Sequence, residues 1–357
     1  MVDQYCALAV QPSVWYNHKR EDFKKNADQV HYVIERAIHL CSIEFPVKLI
    51  AIPEGAFQGF LDAMRDDHVW AARELWPEIP GEETDIVGEW AKQYNCYIIG
   101  HLRAKDTEFI LPDRYFNMAF IVNPKGKIIH KYHKLQVFAR DPSCTPHDVW
   151  DKWVELYGNN LDAFFPVADT EIGKIGTLVC MDGSFPETAR GLTMNGAEIL
   201  YRSTYTEPWV GNDWWEIQNR ARALDNTCYV IAPNLGPSYT NPNIKVPIAD
   251  GGDSMIVDYR GNIISRHRSS GTSYVSGIIN LEALREFRAK ALFGNFLKDL
   301  RTEVYKVIYK NPIYPKNLWL KDFPKKNPER DMILRQTIAK LLATGVYTPP
   351  ENSNASD

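Results

Sequence analysis

A strand, a tight turn and a helix follow one another within residues 172–199, and this order constrains the fold more than any other stretch. The β-prone run IGTLV (175–179) reaches Cys180 and breaks at once into the turn MDGSFPE. Helical spacing then covers residues 188–195 and stops at Gly196. The sequence therefore predicts an α/β protein that carries a thiol where a strand passes into a helix.

The position of Cys180 favours a reactive thiol. Where a strand meets a helix, backbone N–H groups lack helical partners and the helix dipole favours negative charge, and both conditions lower a thiol pKa. A thiolate at this position would be a competent nucleophile. Free cysteine is also among the most buried residue types and packs as a small hydrophobic side chain. This stretch alone leaves a catalytic and a structural role open.

Composition and charge exclude several classes of protein. The chain has 357 residues and a formal net charge of −4, so it presents no overall basic surface to nucleic acid or an anionic membrane. Its six cysteines are scattered singly, which predicts reduced thiols and neither a disulfide framework nor a metal site. No apolar run approaches about 18 residues, and the first residues lack the pattern of a secretory signal. We therefore expect a cytoplasmic protein that does not span a membrane.

Two similar cycles of strand, helix, strand, helix and hairpin occupy residues 5–135 and 166–281. Their strands are apolar throughout rather than alternating, which indicates sheets covered on both faces. We therefore expect two packed sheets with helices outside them, forming one domain over residues 1–282. The stretch 139–166, rich in Asp, Pro and Trp, is predicted to be a long irregular loop that serves as a lid or binding loop.

The remaining residues, 283–357, are predicted to form a C-terminal extension. A helix is expected from Glu282 to about Tyr309, followed by a proline-rich stretch and a second helix over residues 330–343. The last ten residues, TPPENSNASD, have the composition of a disordered end. Because the extension has little core of its own, we expect it to lie along another surface, such as that of a second subunit.

Three residues with complementary chemistry follow predicted strands. They are a carboxylate (Glu54), an ammonium (Lys134) and the Cys180 thiol, and sites in α/β proteins collect at strand ends. Taken alone, Glu54 fits better as a cap of the turn at Gly55 than as a catalytic residue. Taken together, Cys180 attacks an electrophilic carbon, Glu54 takes its proton and later activates water, and Lys134 stabilises the anions. The backbone N–H of Met181 is a second candidate oxyanion donor, and the reaction needs neither a metal nor an organic cofactor.

The motifs around these residues resemble those of the carbon-nitrogen hydrolase, or nitrilase, superfamily. They are IPEGAFQGF around Glu54, HKLQVF around Lys134 and GTLVCMDGSFPE around Cys180, and the resemblance covers about residues 5–282. It implies a four-layer α-β-β-α sandwich and gives the three residues the roles of base, stabiliser and nucleophile. It also implies homo-oligomers in which C-terminal arms embrace neighbouring subunits.

The branch of the superfamily is indicated by the residues that follow the nucleophile. Nitrilases typically have Trp-Glu directly after the cysteine, whereas this chain has a Cys-x-Asp pattern that resembles the amide and carbamoyl hydrolases. Aliphatic amidases also place a second glutamate about eight residues past the lysine, where this chain has Asp141. Either Asp141 substitutes for that glutamate, or Glu155 from the predicted loop does. Tyr205 and Trp209 are candidate walls of the acyl pocket.

These observations predict an enzyme that hydrolyses a small aliphatic amide to a carboxylic acid and ammonia. A related alternative is the hydrolysis of an N-carbamoyl compound or a nitrile. An alternative of a different class is a catalytically idle subunit that serves as a scaffold. The intact Glu54, Lys134 and Cys180 argue against the scaffold.

Overall fold

The computed structural model describes residues 2–109, 111–205 and 212–350, and these residues contain fifteen strands and eleven α-helices. The strands are β1 (Tyr5–Gln11), β2 (Val14–Trp15), β3 (Val47–Ala51), β4 (Glu78–Ile79), β5 (Tyr97–Asp106), β6 (Phe116–Val122), β7 (Ile128–His133), β8 (Val167–Thr170), β9 (Gly173–Val179), β10 (Ile199–Ser203), β11 (Tyr229–Ala232), β12 (Ser238–Tyr239), β13 (Ser254–Val257), β14 (Ile263–His267) and β15 (Ser273–Ile279). The helices are α1 (Phe23–Cys41), α2 (Leu61–Arg65), α3 (His68–Trp70), α4 (Glu82–Tyr94), α5 (Trp150–Tyr157), α6 (Leu161–Phe164), α7 (Pro186–Met194), α8 (Trp214–Asn226), α9 (Leu281–Lys290), α10 (Thr302–Tyr305) and α11 (Asn327–Ala343).

The first large sheet has the strand order β15-β1-β3-β5-β6-β7, with the short β4 paired to β5. Strands β1, β3 and β5 are parallel, and β6 and β7 each reverse the direction of the strand before. Two reversals leave β7 parallel to β3. The carboxyl ends of β3 and β7 therefore lie at the same edge of the sheet, which is where Glu54 and Lys134 follow them.

The second large sheet has the order β14-β13-β11-β10-β9-β8. Its central strands β9, β10 and β11 are parallel, while β8 and β13 pair with them antiparallel. The two sheets are thus built alike, with parallel strands in the middle and antiparallel strands at the edges. Cys180 follows the parallel strand β9 directly.

Side chains that alternate along each strand build the layers of the molecule. In β1, Leu8 packs in the core that contains the α1 residue Val30, whereas Ala7 and Ala9 lie in the core between the two sheets. In β10, Leu200 packs in a separate outer core with residues of α7 and α8. Each central strand is therefore buried on both faces, as its continuous apolar sequence predicts. The fold is an α/β four-layer α-β-β-α sandwich, and the prediction of fold class is confirmed.

Two local predictions differ from the structure. Residues 139–166 are not one irregular loop, because they contain α5 and α6, and Trp153 of α5 packs against Phe109 and Phe116. The helix expected from Glu282 to about Tyr309 ends at Lys290, and a short α10 follows after a break. The predicted boundary at residue 282 falls inside α9, whose first turn packs in the core between the sheets.

The stretch of the C-terminal extension from residue 317 to residue 331 lies along the first half of its own chain. Trp319 is 5% exposed and packs in the outer core of the first sheet, and its backbone N–H donates to the carbonyl oxygen of Asp148 at 2.9 Å. Helix α11 begins three residues earlier than predicted, at Asn327, because Pro328 fits the first turn of a helix. Within the described residues, no helix is long and apolar enough to cross a membrane. Seven of the ten residues of the predicted disordered end lie outside the described part of the chain.

Candidate active site

Glu54 and Lys134 meet at the shared edge of the first sheet. The Lys134 Nζ atom lies 2.8 Å from the Glu54 Oε1 atom, and each side chain is 2% exposed. Burial alone would raise the pKa of Glu54, but the charge of Lys134, the electrostatic interaction with His101 and the hydrogen bonds from Lys134 and Asn117 together outweigh burial, and that pKa lies below its ordinary value. Burial would likewise lower the pKa of Lys134, but the charges of Glu54 and Cys180 raise it. The pair is therefore a carboxylate and an ammonium at neutral pH.

Two further groups hold the Glu54 carboxylate. The Asn117 side-chain amide donates to Oε1 at 2.8 Å, and the backbone N–H of Tyr205 donates to Oε2 at 2.9 Å. Asn117 lies in β6 of the first sheet, whereas Tyr205 follows β10 of the second sheet. Both sheets thus fix the carboxylate, which leaves it little freedom to rotate.

Asp141 belongs to the same buried cluster. Its carboxylate accepts hydrogen bonds from Asn117 at 3.2 Å, from Arg103 at 3.0 Å and from the Ser143 hydroxyl at 2.6 Å, and it lies 3.8 Å from the Lys134 Nζ atom. Burial would raise the pKa of Asp141, but Arg103 and Lys134 hold it well below its usual range. Asp141 is therefore a second carboxylate beside Glu54, and both carboxylates lie close to the Lys134 ammonium.

Glu155 does not join the cluster. It lies on α5, its side chain is 66% exposed, and it pairs with Lys152 one turn earlier. The helix that the sequence analysis did not predict explains this position, because it keeps Trp153 on the buried face and turns Glu155 outward. Of the two acidic residues considered, the structure brings Asp141 to the lysine.

Asn117 and His101 were missed by the sequence analysis. The Gly55 N–H donates to the His101 Nδ1 atom at 3.1 Å, so the proton of this neutral ring lies on Nε2, which contacts the Asn117 side-chain oxygen. Burial lowers the pKa of His101 to about 4, which keeps the ring neutral. Gly55, His101 and Asn117 thus form a closed ring of contacts around Glu54. The available signal was the presence of polar residues within buried apolar strands.

Arg103 and two carboxylates lie next to the contacts that surround Glu54. The Arg103 guanidinium contacts both Asp62 and Asp141, and the Tyr115 hydroxyl donates to Asp62 at 2.6 Å. Arg103 and His101 are two residues apart on β5, so they share a face of the strand, and Arg103 pairs in register with Asn117 on β6. The period of two was visible in the sequence, but the partners across the sheet were not.

Cys180 begins a 3-10 turn that runs over Cys180–Ser184. Its φ of 48° lies in the left-handed region, which a non-glycine residue rarely occupies. The side chain is partly exposed, and its charge raises the pKa of Lys134, so the thiol and the ammonium interact. A strained, accessible backbone position beside a fixed cation is suited to a nucleophile.

Asp182 connects the turn that begins at Cys180 to the segment around Lys134, residues 132–136. One oxygen of its carboxylate accepts from the backbone N–H groups of Leu135 at 3.1 Å and Gln136 at 2.8 Å, and the other accepts from Val179 at 3.0 Å and the Tyr132 hydroxyl at 2.8 Å. The aspartate of the Cys-x-Asp pattern therefore joins the segments before and after Lys134 to the segment that carries Cys180.

The other predicted residues have these positions. Met181 lies in the turn directly after Cys180 and is partly buried. The Tyr205 ring packs against Phe60 with ring centroids 4.0 Å apart, and its hydroxyl contacts Tyr16, so the ring is held from several sides. Trp209 lies outside the described residues.

Comparison with curated proteins finds formamidases. A formamidase of Bacillus cereus (strain Q1) is 29% identical over 236 residues, which are 66% of this chain and 63% of the relative. A formamidase of Bacillus anthracis is 28% identical over the same shares. The match therefore spans less than two thirds of the length of these relatives.

Comparison with solved structures finds the same sandwich. A carbon-nitrogen hydrolase from Helicobacter pylori G27 superposes with a TM-score of 0.65 at 20% identity, over 86% of this chain and 99% of that one. An amidase from Nesterenkonia sp. superposes with a TM-score of 0.60 at 15% identity, over 85% and 96%. At these identities the likeness establishes the fold.

The model of the carbon-nitrogen hydrolase family matches residues 7–289, which is well over half of the chain. This range contains both sheets except the first two residues of β1, and the whole cluster around Glu54, Lys134 and Cys180. The chain therefore belongs to the carbon-nitrogen hydrolase family.

Proposed function

We propose that this chain hydrolyses the C–N bond of a small aliphatic amide, with Cys180 as the nucleophile and a thioester as the intermediate. The observation that carries the proposal is the buried pair of Lys134 and Glu54, which lie 2.8 Å apart beside the thiol. The resemblance to formamidases supports an amide as the substrate.

The proposed first half-reaction forms the thioester. Glu54 takes the Cys180 proton as the sulfur attacks the amide carbon, and Lys134 and the Met181 N–H stabilise the negative oxygen that develops. When the C–N bond breaks, Glu54 returns the proton to the nitrogen, which leaves as ammonia. Asp141 accepts hydrogen bonds from the amide nitrogen and so orients the substrate between the two carboxylates.

The second half-reaction releases the acid. Water attacks the thioester carbon while Glu54 takes its proton, the C–S bond breaks, and the proton returns to the sulfur. The same carboxylate thus acts as base, acid and base again, and its depressed pKa keeps it ionised when substrate arrives. No metal or organic cofactor takes part in this scheme.

The test is ammonia release from formamide, acetamide, propionamide, N-carbamoyl amino acids and nitriles by the wild type and Cys180→Ala. We expect release from a short amide that is lost in this variant and retained in Cys41→Ala, a cysteine remote from the catalytic motifs in sequence. Release that persists in Cys180→Ala would refute the nucleophile. No ammonia release from any of these substrates would favour the scaffold role instead.

N-carbamoyl compounds are the second candidate substrates because of Asp141. Aspartate is one methylene shorter than the glutamate that the aliphatic amidases carry, and Arg103 holds it at 3.0 Å. The space that this leaves would admit a group larger than formamide. Turnover of N-carbamoyl compounds without turnover of simple amides would select this alternative.

We also propose that the chain forms a homo-oligomer in the cytoplasm. Large apolar side chains are exposed on α8 and in the segment after α9, where Ile217 is 61% and Phe293 is 89% exposed. A second copy would cover them. Sedimentation of the wild type beside Ile217→Asp and Phe293→Asp tests this, since a monomer in all three samples would refute it. The scattered cysteines support a reducing compartment, which cell fractionation tests.

A further inference from the structure

The C-terminal extension contacts the loops that carry the buried cluster. We define the brace as residues 317–331, a segment beyond the 7–289 range of the family match. Its first contacts are with the segment before α5, where the Asn317 N–H donates to the His147 oxygen at 3.0 Å and the Trp319 N–H donates to the Asp148 oxygen at 2.9 Å. These bonds place the brace on the outside of the first sheet.

Three further contacts of the brace fall close in sequence to cluster residues, the first of them at Arg114. Arg114, which precedes Tyr115, donates to the Trp319 oxygen at 3.0 Å and to the Asp322 oxygen at 2.6 Å. Its guanidinium also stacks over the Phe323 ring at 4.2 Å from the centroid. The segment before β6 that brings the Tyr115 hydroxyl to Asp62 is therefore held in place by the brace.

The second contact holds the helix that carries Asp62. Asp66 ends this helix and accepts from the Asn327 N–H at 2.7 Å and from Arg330 at 3.0 Å. The Arg330 and Asp66 side chains are only 11% and 16% exposed, so solvent screens this ion pair weakly. Asp62 lies one helical turn before Asp66 and contacts Arg103.

The third contact holds the residue before Asp141. Arg140 and Asp331 form an ion pair at 2.8 Å, but their side chains are 44% and 37% exposed. Exposed pairs contribute little, so this contact is the weaker one. The brace nevertheless reaches the neighbours of Asp62, Tyr115 and Asp141, which together surround Arg103.

We propose that the brace is a positioning element of the active site. It fixes the position of the Asp141 carboxylate through Asp62 and Arg103. The role of Asp141 rests on the proposed function. The brace does not touch the reacting atoms, so it acts on how often the carboxylates stand in their productive arrangement. Loss of the brace contacts thus lowers kcat more than it raises KM, because substrate binding can still occur in the displaced site.

The experiment compares Arg330→Gln and Asp66→Asn in the full chain with Arg335→Gln, a control at an exposed arginine of the same helix. Asparagine tolerates the left-handed backbone of Asp66, where φ is 54°. We expect kcat to fall about tenfold in both variants with KM changed less than about threefold. The double variant should have the same kcat as either single variant, since each substitution removes the same ion pair.

Hydrogen exchange gives a readout that does not depend on activity. Backbone amides of residues 61–66 and 140–145 should exchange about tenfold faster in both variants, while those of Gly173–Val179 stay at the wild-type rate. An enzyme inactive on every amide but with this exchange pattern would refute the proposed function and leave the brace contact standing. Faster exchange confined to α11 would overturn the brace proposal, and so would a kcat equal to that of the control. Asp331→Asn provides a milder variant if the others do not fold.

Discussion

The two sheets have the same construction, yet they contribute unlike parts to the site. The first sheet supplies Glu54, Lys134 and Asn117, which are buried and hydrogen-bonded to one another. The second sheet supplies Cys180, which is partly exposed and has a left-handed backbone. A buried, hydrogen-bonded cluster of charges thus accompanies a partly exposed thiol with a strained backbone, the proposed nucleophile.

This difference indicates how the chemistry is divided. Charges in a low-dielectric interior act most strongly when they do not have to reorganise, whereas a nucleophile must be reached by its substrate. The contacts that join the two parts include those of Tyr205 with Glu54 and of Asp182 with the backbone around Lys134. Perturbing either part, or the contacts between them, should have effects of different size.

The largest effect is expected on the side of the first sheet, from Glu54→Gln. The amide cannot take the thiol proton, so kcat/KM should fall by about 10² to 10⁴. Steady-state ammonia release measures this, and circular dichroism checks the fold. Glu155→Gln is the matched control, because Glu155 is exposed and pairs with the neighbouring surface residue Lys152. Equal activity in the two variants would contradict the assignment of the base.

Asn117→Ala should have the next largest effect. It removes the donor that Glu54 and Asp141 share, and hydrogen bonds to charged groups contribute about 1.5–3 kcal/mol, a factor of roughly 10 to 150 in rate. We expect kcat/KM to fall within that range. Asn262→Ala, in an exposed turn where the side chain bonds to Asp258, serves as the control. A loss below threefold would show that the other contacts suffice to hold Glu54.

The sequence predicted the strands better than it predicted the contacts between them. Continuous apolar runs fix which segments form central strands, and the three motif residues follow those runs directly. Asn117 and Arg103 escaped notice because their importance depends on pairing across the sheet, which a local pattern does not encode. The extension was expected to lie along another surface, such as that of a second subunit. Part of it packs on its own chain, where Trp319 is buried, and the contact with a second subunit stays a prediction.

Asp182 tests the contact between the two parts through pH. Burial raises its pKa to about 6, although the Lys134 charge and the hydrogen bonds oppose this shift. Only the ionised carboxylate can accept from all four donors, so the contact is complete above pH 6 and is lost as the pH falls through 6. We expect kcat/KM of the wild type to fall on the acid side with a midpoint near 6.

Asp182→Asn should remove that inflection. Its amide would turn a donor toward groups that also donate, which costs about 1–3 kcal/mol, and activity at pH 8 should fall about tenfold. Thiol alkylation at pH 7 should slow as well, because Lys134 is no longer held beside Cys180. A wild-type profile that is flat between pH 5 and pH 7 would exclude this role for Asp182.

The smallest effect concerns the support beneath the nucleophile. A Cβ atom on Gly183 would lie 1.8 Å from the Arg202 Nε atom, and Arg202 is buried under Trp215 with the Asn219 oxygen at 3.1 Å. Because this arginine is fixed, Gly183→Ala should destabilise the fold by about 1–3 kcal/mol and lower the Tm by several degrees. Gly271→Ala, where the nearest atom lies at 3.6 Å, should leave the Tm unchanged. If both variants have the same Tm, the turn Cys180–Ser184 has room to move. The close approach of Arg202 to Gly183 then does not cause the strained backbone at Cys180.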